Sequence, residues 1–195
     1  MRKFLIAAAV LALTAPAARA EVVERQANGF SLRMSAPANA GWAQAYFAVG
    51  DPGNWWNGAH TYSGDATNLS LPLEVGACLC ERLADGSIFE HGRVVSLTPQ
   101  REVRLDAPLG PLKGKTARAE LAFSWEPAER GTVVLTMTFV VEGQGVGSFA
   151  DAVDQVMADQ FQRWAAWAPR IRITASAPAT WPDTAASDAA VRPAA

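Results

Sequence analysis

Positive charge is not in excess in this chain, and that alone removes one class of partner. The 195 residues hold 17 Lys and Arg against 19 Asp and Glu, a formal net charge of −2. No basic field exists to grip a phosphate backbone, so no nucleic-acid partner is expected. Beyond its N-terminus the chain also lacks any apolar run near the roughly 20 residues of a membrane span. Charged residues are sparse at 18% and hydrophobic ones reach 50%, which excludes global disorder and suits one globular domain with a sizeable core. Motifs for covalent or metal-assisted hydrolysis are missing as well. No nucleophile elbow, phosphate loop or zinc-protease signature occurs, and Ser63-Gly64 lacks the flanking glycines that would expose a nucleophile.

Cysteine is scarce too. Cys78 and Cys80 are the only two, separated by one residue in a strand-like segment. Alternation puts both on one face, with Cα atoms about 6.6–6.8 Å apart in an extended strand. That is the outer limit for a disulfide, so the geometry favours two packed thiols, and a bridge would require a bent strand.

What is present begins with a secretory pattern. Arg2 and Lys3 precede a short apolar run, Phe4–Leu13, which Pro16 breaks, and Ala18-Arg19-Ala20 supplies small residues for cleavage. No Cys follows the expected cut for lipid attachment. The expectation is a signal peptide over 1–20, a domain over 21–168 and a mobile Ala/Pro-rich tail over 169–195, exported to the periplasm or medium.

The order of elements carries the fold expectation. Residues 21–28 are polar and lead into a first strand, Gly29–Ser35, where Phe30, Leu32 and Met34 alternate with polar neighbours. A helical stretch, Ala38–Val49, follows and stops at Asp51-Pro52-Gly53. After the irregular segment 53–67 come strand patterns at Asn68–Pro72, Ala77–Leu83, Ile88–Leu97, Arg101–Ala107, Thr116–Trp125 and Thr132–Glu142. Ser148 is the expected N-cap of a last helix, from Phe149 to Pro169, with Val153, Val156, Met157, Gln160 and Trp164 on one side. The class is α+β: an antiparallel sheet, partly covered by one terminal helix, with a pocket between them. Asp85-Gly86 suggests a two-residue hairpin loop. That register sets Cys80 opposite His91 and Cys78 opposite Arg93, all on one face with Arg82.

The stretches Trp55-Trp56, His60-Thr61-Tyr62-Ser63-Gly64-Asp65-Ala66 and Asn68-Leu69-Ser70-Leu71 resemble the SRPBCC, or START-like, superfamily. So do Gly76-Ala77-Cys78-Leu79-Cys80-Glu81 and Leu109-Gly110-Pro111-Leu112. The resemblance runs from about Val23 to Trp167 and is greatest to bacterial SRPBCC-domain or polyketide cyclase/dehydrase-like proteins, many of no known activity. It implies a helix-grip fold, with a seven-stranded curved sheet around the long C-terminal helix and an apolar cavity between. It also implies a lipid, sterol, polyketide or similar ligand, with cyclase activity in some members. Other members assist a chaperone ATPase, a branch that export argues against.

Candidate site residues follow from the two lines together. Trp55 and Trp56 either line the pocket mouth or plug the loop against the sheet. His60 is a candidate proton carrier or polar anchor, or else holds its own loop. His91 is a second candidate base, and Arg93 beside it would need a carboxylate from Glu81, Asp65 or a ligand unless that face meets solvent. Tyr62 completes the polar end. Leu121, Phe123 and Trp125, with Val133, Leu135, Met137 and Phe139, are expected to line the cavity from the last two strands. Val153, Val156, Met157, Gln160 and Trp164 are expected to line it from the helix. Cys78, Cys80, His91 and His60 form a conceivable soft-metal set, but C-x-C lacks the usual two-residue gap, so no metal or cofactor is expected.

The sequence thus points to a binding protein for a small hydrophobic molecule. A cyclase or dehydratase using a pocket histidine is the alternative, and a protein-interaction module acting through the tail is the third reading.

Overall fold

The computed structural model describes residues 20–173. The expected signal segment through residue 19 and the expected tail from residue 174 lie outside the described residues. The start of that expected tail lies against the body: Gln44 Nε2 donates to the Pro169 carbonyl at 3.3 Å and to the Ile171 carbonyl at 3.0 Å.

The segments of alternating apolar residues form strands. The strands are β1 (Ala20–Gln26), β2 (Gly29–Ala38), β3 (Leu69–Ser70), β4 (Cys78–Arg82), β5 (Ile88–Thr98), β6 (Glu102–Asp106), β7 (Arg118–Pro127) and β8 (Val133–Glu142). They form one curved antiparallel sheet in the order β1-β2-β8-β7-β6-β5-β4-β3. The sheet therefore has eight strands, not the expected seven. The extra one is the polar lead-in, which pairs with β2 from Ala20↔Met34 to Gln26↔Gly29. As an edge strand it buries little, so apolar alternation could not reveal it.

Three helices complete the domain: α1 (Trp42–Val49), α2 (Pro52–Trp55) and α3 (Ala150–Trp167). The expected helical stretch from Ala38 starts later, because Ala38 is still paired with Val133 at the end of β2. Ser148 does not cap α3. It lies in a 3-10 turn, Val146–Phe149, and donates its hydroxyl to the Gly145 carbonyl at 2.9 Å. The first turn of α3 is complemented instead by Asp151, which pairs with Arg25 of β1.

The core fills the space between sheet and α3. Leu121, Phe123 and Trp125 of β7 and Leu135, Met137 and Phe139 of β8 are all buried, as are Val153, Met157, Phe161 and Trp164 of α3. Phe123 meets Trp164 edge-to-face at 5.0 Å between ring centres and packs against Trp55 at 5.9 Å. Burying side chains of this size contributes about 1.5–3 kcal/mol each. Among the described residues no helix is long and apolar enough to cross a membrane.

Candidate functional site

The core does not fill the molecule to its end. A cavity of about 460 Å³ remains beside the first half of α3. Phe149, Ala152, Val153, Val156 and Met157 form its helix wall. The loop Leu109–Leu112 after β6 closes a second side, anchored by fully buried Leu112. Trp56, His60, Thr61 and Tyr62 form a third side, and His91 of β5 reaches in from the sheet. Apolar walls with a few polar groups at one place are the usual composition of a small-molecule pocket.

The Trp56–Tyr62 segment is held at both ends. Asn57 caps the 3-10 turn Gly58–His60 by accepting from the Ala59 amide at 3.0 Å. The same residue ties the loop to α3: its amide donates to Gln160 Oε1 at 2.9 Å, and its Nδ2 donates to Asp159 at 2.7 Å. Burial works to raise the Asp159 carboxyl. Hydrogen bonds from Asn57 and Arg163, with His60 nearby, outweigh it and hold the group below its ordinary range.

Glu81 holds the other end. This residue of β4 is fully buried, and its carboxylate accepts the amides of Tyr62, at 3.0 Å, and Ser63. His91 Nε2 lies 2.7 Å from Glu81 Oε2. Burial pushes the Glu81 carboxyl up, but the hydrogen bonds from Ser63, Tyr62 and His91 win and hold it below its ordinary range. Glu81 is thus a buried carboxylate that stays ionised, fastened to the cavity loop and to the cavity histidine. Tyr62 lies over Phe89 at 4.2 Å and beside His91 at 5.6 Å, which completes an aromatic wall at this corner.

A bulge sets His91 apart from its expected neighbours. Leu79 pairs with Gly92 but Cys80 pairs with Glu90, so His91 is the extra residue on β5. The loop before it has three residues, not two: Leu83 and Ser87 are bonded, and Gly86 takes φ +83°. His91 therefore turns inward while Cys78, Cys80, Arg82 and Arg93 stay on the outer face. Arg93 is exposed, paired with Glu90 and donating to the Gly76 carbonyl. It needs no carboxylate from a ligand.

The cysteine expectation also changes, because β4 is not fully extended there. The Cys78 and Cys80 Cα atoms are 5.2 Å apart and the two residues form a disulfide. Their sulfurs are bonded to each other on the face opposite His91, so the conceivable metal set is not assembled.

Other candidates divide between cavity and core. Trp56, His60, Tyr62, His91, Val153, Val156 and Met157 line the cavity. Trp55 does not: it is buried against Phe123 and donates Nε1 to the Ala48 carbonyl at 2.6 Å. Leu121, Phe123, Trp125, Val133, Leu135, Met137 and Phe139, expected to line the cavity, are buried in the core instead, as are Gln160 and Trp164. The cavity lies at the loop end of the sheet, where α3 meets loops rather than β7 and β8. Asn57 was missed, and Glu81 was considered only as a carboxylate for Arg93, whereas its side-chain partner is His91. Leu79 was the available signal for Glu81: its phase marks the inner face of β4, and Glu81 shares that phase.

No family model and no curated protein matches this chain. Solved structures do match it. The di-domain ARO/CYC protein StfQ from the steffimycin biosynthetic pathway superposes with a TM-score of 0.50 at 11% identity, over 75% of this chain and 52% of that one. The chain thus spans about half of StfQ's length. A protein from Arthrobacter aurescens has a TM-score of 0.50 at 16% identity, over 77% of this chain and 94% of its own. EF2215 from Enterococcus faecalis, a conserved protein of unknown function, has a TM-score of 0.50 at 7% identity, over 80% of both chains. The fold is helix-grip-like. At these identities the likeness concerns the fold and not the chemistry.

Proposed function

We propose that this is an exported binding protein of the SRPBCC, or START-like, superfamily that holds a small hydrophobic molecule in the cavity beside α3. The observation that carries this reading is the cavity itself: about 460 Å³, walled mainly by aliphatic and aromatic side chains, with polar side chains supplied by His60, Thr61, Tyr62 and His91. That volume lies within the roughly 300–1,000 Å³ range of ligand pockets. A lipid, sterol-like or polyketide-like body fits such walls, with affinity arising mainly from apolar burial at about 25 cal/mol per Å². The test is to purify the mature protein from its native host, extract it under denaturing conditions and search for co-purified small molecules by mass spectrometry. A stoichiometric apolar compound supports the reading. An empty protein that also takes up no apolar probe counts against it.

One observation favours a second reading, a cyclase or dehydratase-type enzyme. His91 lines the cavity with an ionised carboxylate behind its ring, an arrangement able to hold and move a proton. His60 lies in the cavity wall as well, but it is exposed and carries no comparable partner among the described residues. Turnover that collapses in His91→Ala while ligand binding survives would favour the enzyme.

A further inference from the structure

We infer that Glu81 is a positioning residue which fixes the proton of His91 on Nε2, so that Nδ1 faces the cavity as a hydrogen-bond acceptor and selects apolar ligands bearing a donor hydroxyl. The inference rests on the binding reading and adds the ligand's polar chemistry to it.

The argument is one of donor and acceptor capacity. An ionised carboxylate can only accept. Glu81 accepts from the Tyr62 and Ser63 backbone amides, which cannot reverse roles, and lies 2.7 Å from His91 Nε2. Nε2 must therefore be the donor in that pair. In the neutral imidazole the other nitrogen then carries the lone pair. Among the described residues no protein group bonds to Nδ1, and it is not among the sealed, unpartnered polar atoms of the core, which include the indole nitrogens of Trp125 and Trp164. His91 is otherwise buried and lines the cavity, so the opening left to Nδ1 is the cavity.

The rest of the wall sharpens the preference. Leu109, Leu112, Val153, Val156 and Met157 offer no hydrogen bond to a ligand, so a donor hydroxyl set against that part of the wall would lose its water without replacement. At Nδ1 it finds a strong acceptor. Should the hydroxyl proton pass to Nδ1, the ligand oxygen keeps the electron pair and the resulting imidazolium is paired with Glu81. A ligand ether of the same shape has no proton to give and leaves Nδ1 unpaired.

Two probes of nearly equal shape test this: 2-naphthol, which donates, and 2-methoxynaphthalene, which does not. Binding of each to the full mature protein would be measured by titration calorimetry, alongside long-range nitrogen–proton NMR spectra of the His91 ring. The expected result is an Nε2-protonated ring and binding of 2-naphthol about tenfold tighter than its ether, the worth of one hydrogen bond. In Glu81→Gln the ring should lose its single tautomer and the preference should disappear. A wild-type ring protonated at Nδ1 overturns the inference, whatever the variants do. Equal binding of the two probes also overturns it and leaves the binding reading standing. Binding of neither removes both.

Discussion

Glu81 is charged in the interior, and its position makes acid a selective stress on the cavity loop. Its carboxyl titrates lower in the folded protein than its ordinary value of 4.5. It therefore adds stability above that value, and the contribution drains away as pH falls through the lower folded value. Unfolding free energy measured from pH 7 to pH 3 should decline more steeply in the wild type than in Glu81→Gln, with the gap closing below pH 4.5. Parallel curves would mean that the carboxylate is not stabilised by its bonds to Tyr62, Ser63 and His91. The residue was hard to read from sequence for a specific reason. Its neighbours Cys78, Cys80 and Arg82 drew the reading to the outer face of β4, while the inner face of that short strand shows only Leu79 and Glu81. A buried carboxylate is recognisable only through its donors, and here two of them are backbone amides with no side-chain signature.

At the scale of elements, the β5 bulge depends on a glycine that tolerates close approach. A Cβ on Gly92 would meet Ala107 Cβ and the Asp106 carbonyl at 2.7 Å. Gly92→Ala should cost about 1–3 kcal/mol by overpacking, read as a fall in the urea midpoint. An unchanged midpoint would show that β5 and β6 can part there. The neighbouring disulfide has a different weight. It closes a ring across a single intervening residue, so it removes little freedom from the unfolded chain. Replacing both cysteines by serine should cost about 1 kcal/mol, against the roughly 2–4 kcal/mol typical of longer loops. Chemical denaturation of the oxidised wild type and the double variant would check this. Apolar periodicity revealed β2 through β8 and α3 to within a few residues, because each has one buried face. It failed where a bulge changed phase, at His91, and where an edge strand had almost nothing to bury, at β1.

Taken whole, the molecule separates a solid core from a hollow end, and two substitutions should respond oppositely. Trp164 lies in the solid part, fully buried against Phe123. Trp164→Ala should cost about 3–5 kcal/mol of stability while leaving the cavity wall in place. Val156 lines the hollow part and is only half-buried. Val156→Trp should keep the melting temperature within a few degrees and abolish uptake of an apolar probe. If the first variant lost probe uptake at temperatures where it remains folded, core and cavity would be one unit. The helix-grip architecture was accessible from the order of elements and from the resemblance together. The cavity's place was not, since alternation reports which side chains point inward but not which of them leave space.

The strand order also imposes a schedule on folding. From β4 to β8 each strand pairs with its successor, so that part of the sheet can grow as fast as its short connections close. β2 cannot join it until β8 exists, because residues 29–38 pair with residues 133–142. A chain emerging N-terminus first must therefore hold Phe30, Leu32 and Met34 unburied while most of the domain is made. Non-local pairings of this kind are the slow steps of small β-rich domains. During that wait β1 can pair with β2 through its short turn, occupying one of the two edges that would otherwise be open to a neighbouring chain. The modest edge strand can then serve early, as a temporary cover for an element whose permanent partner lies about a hundred residues further along the chain.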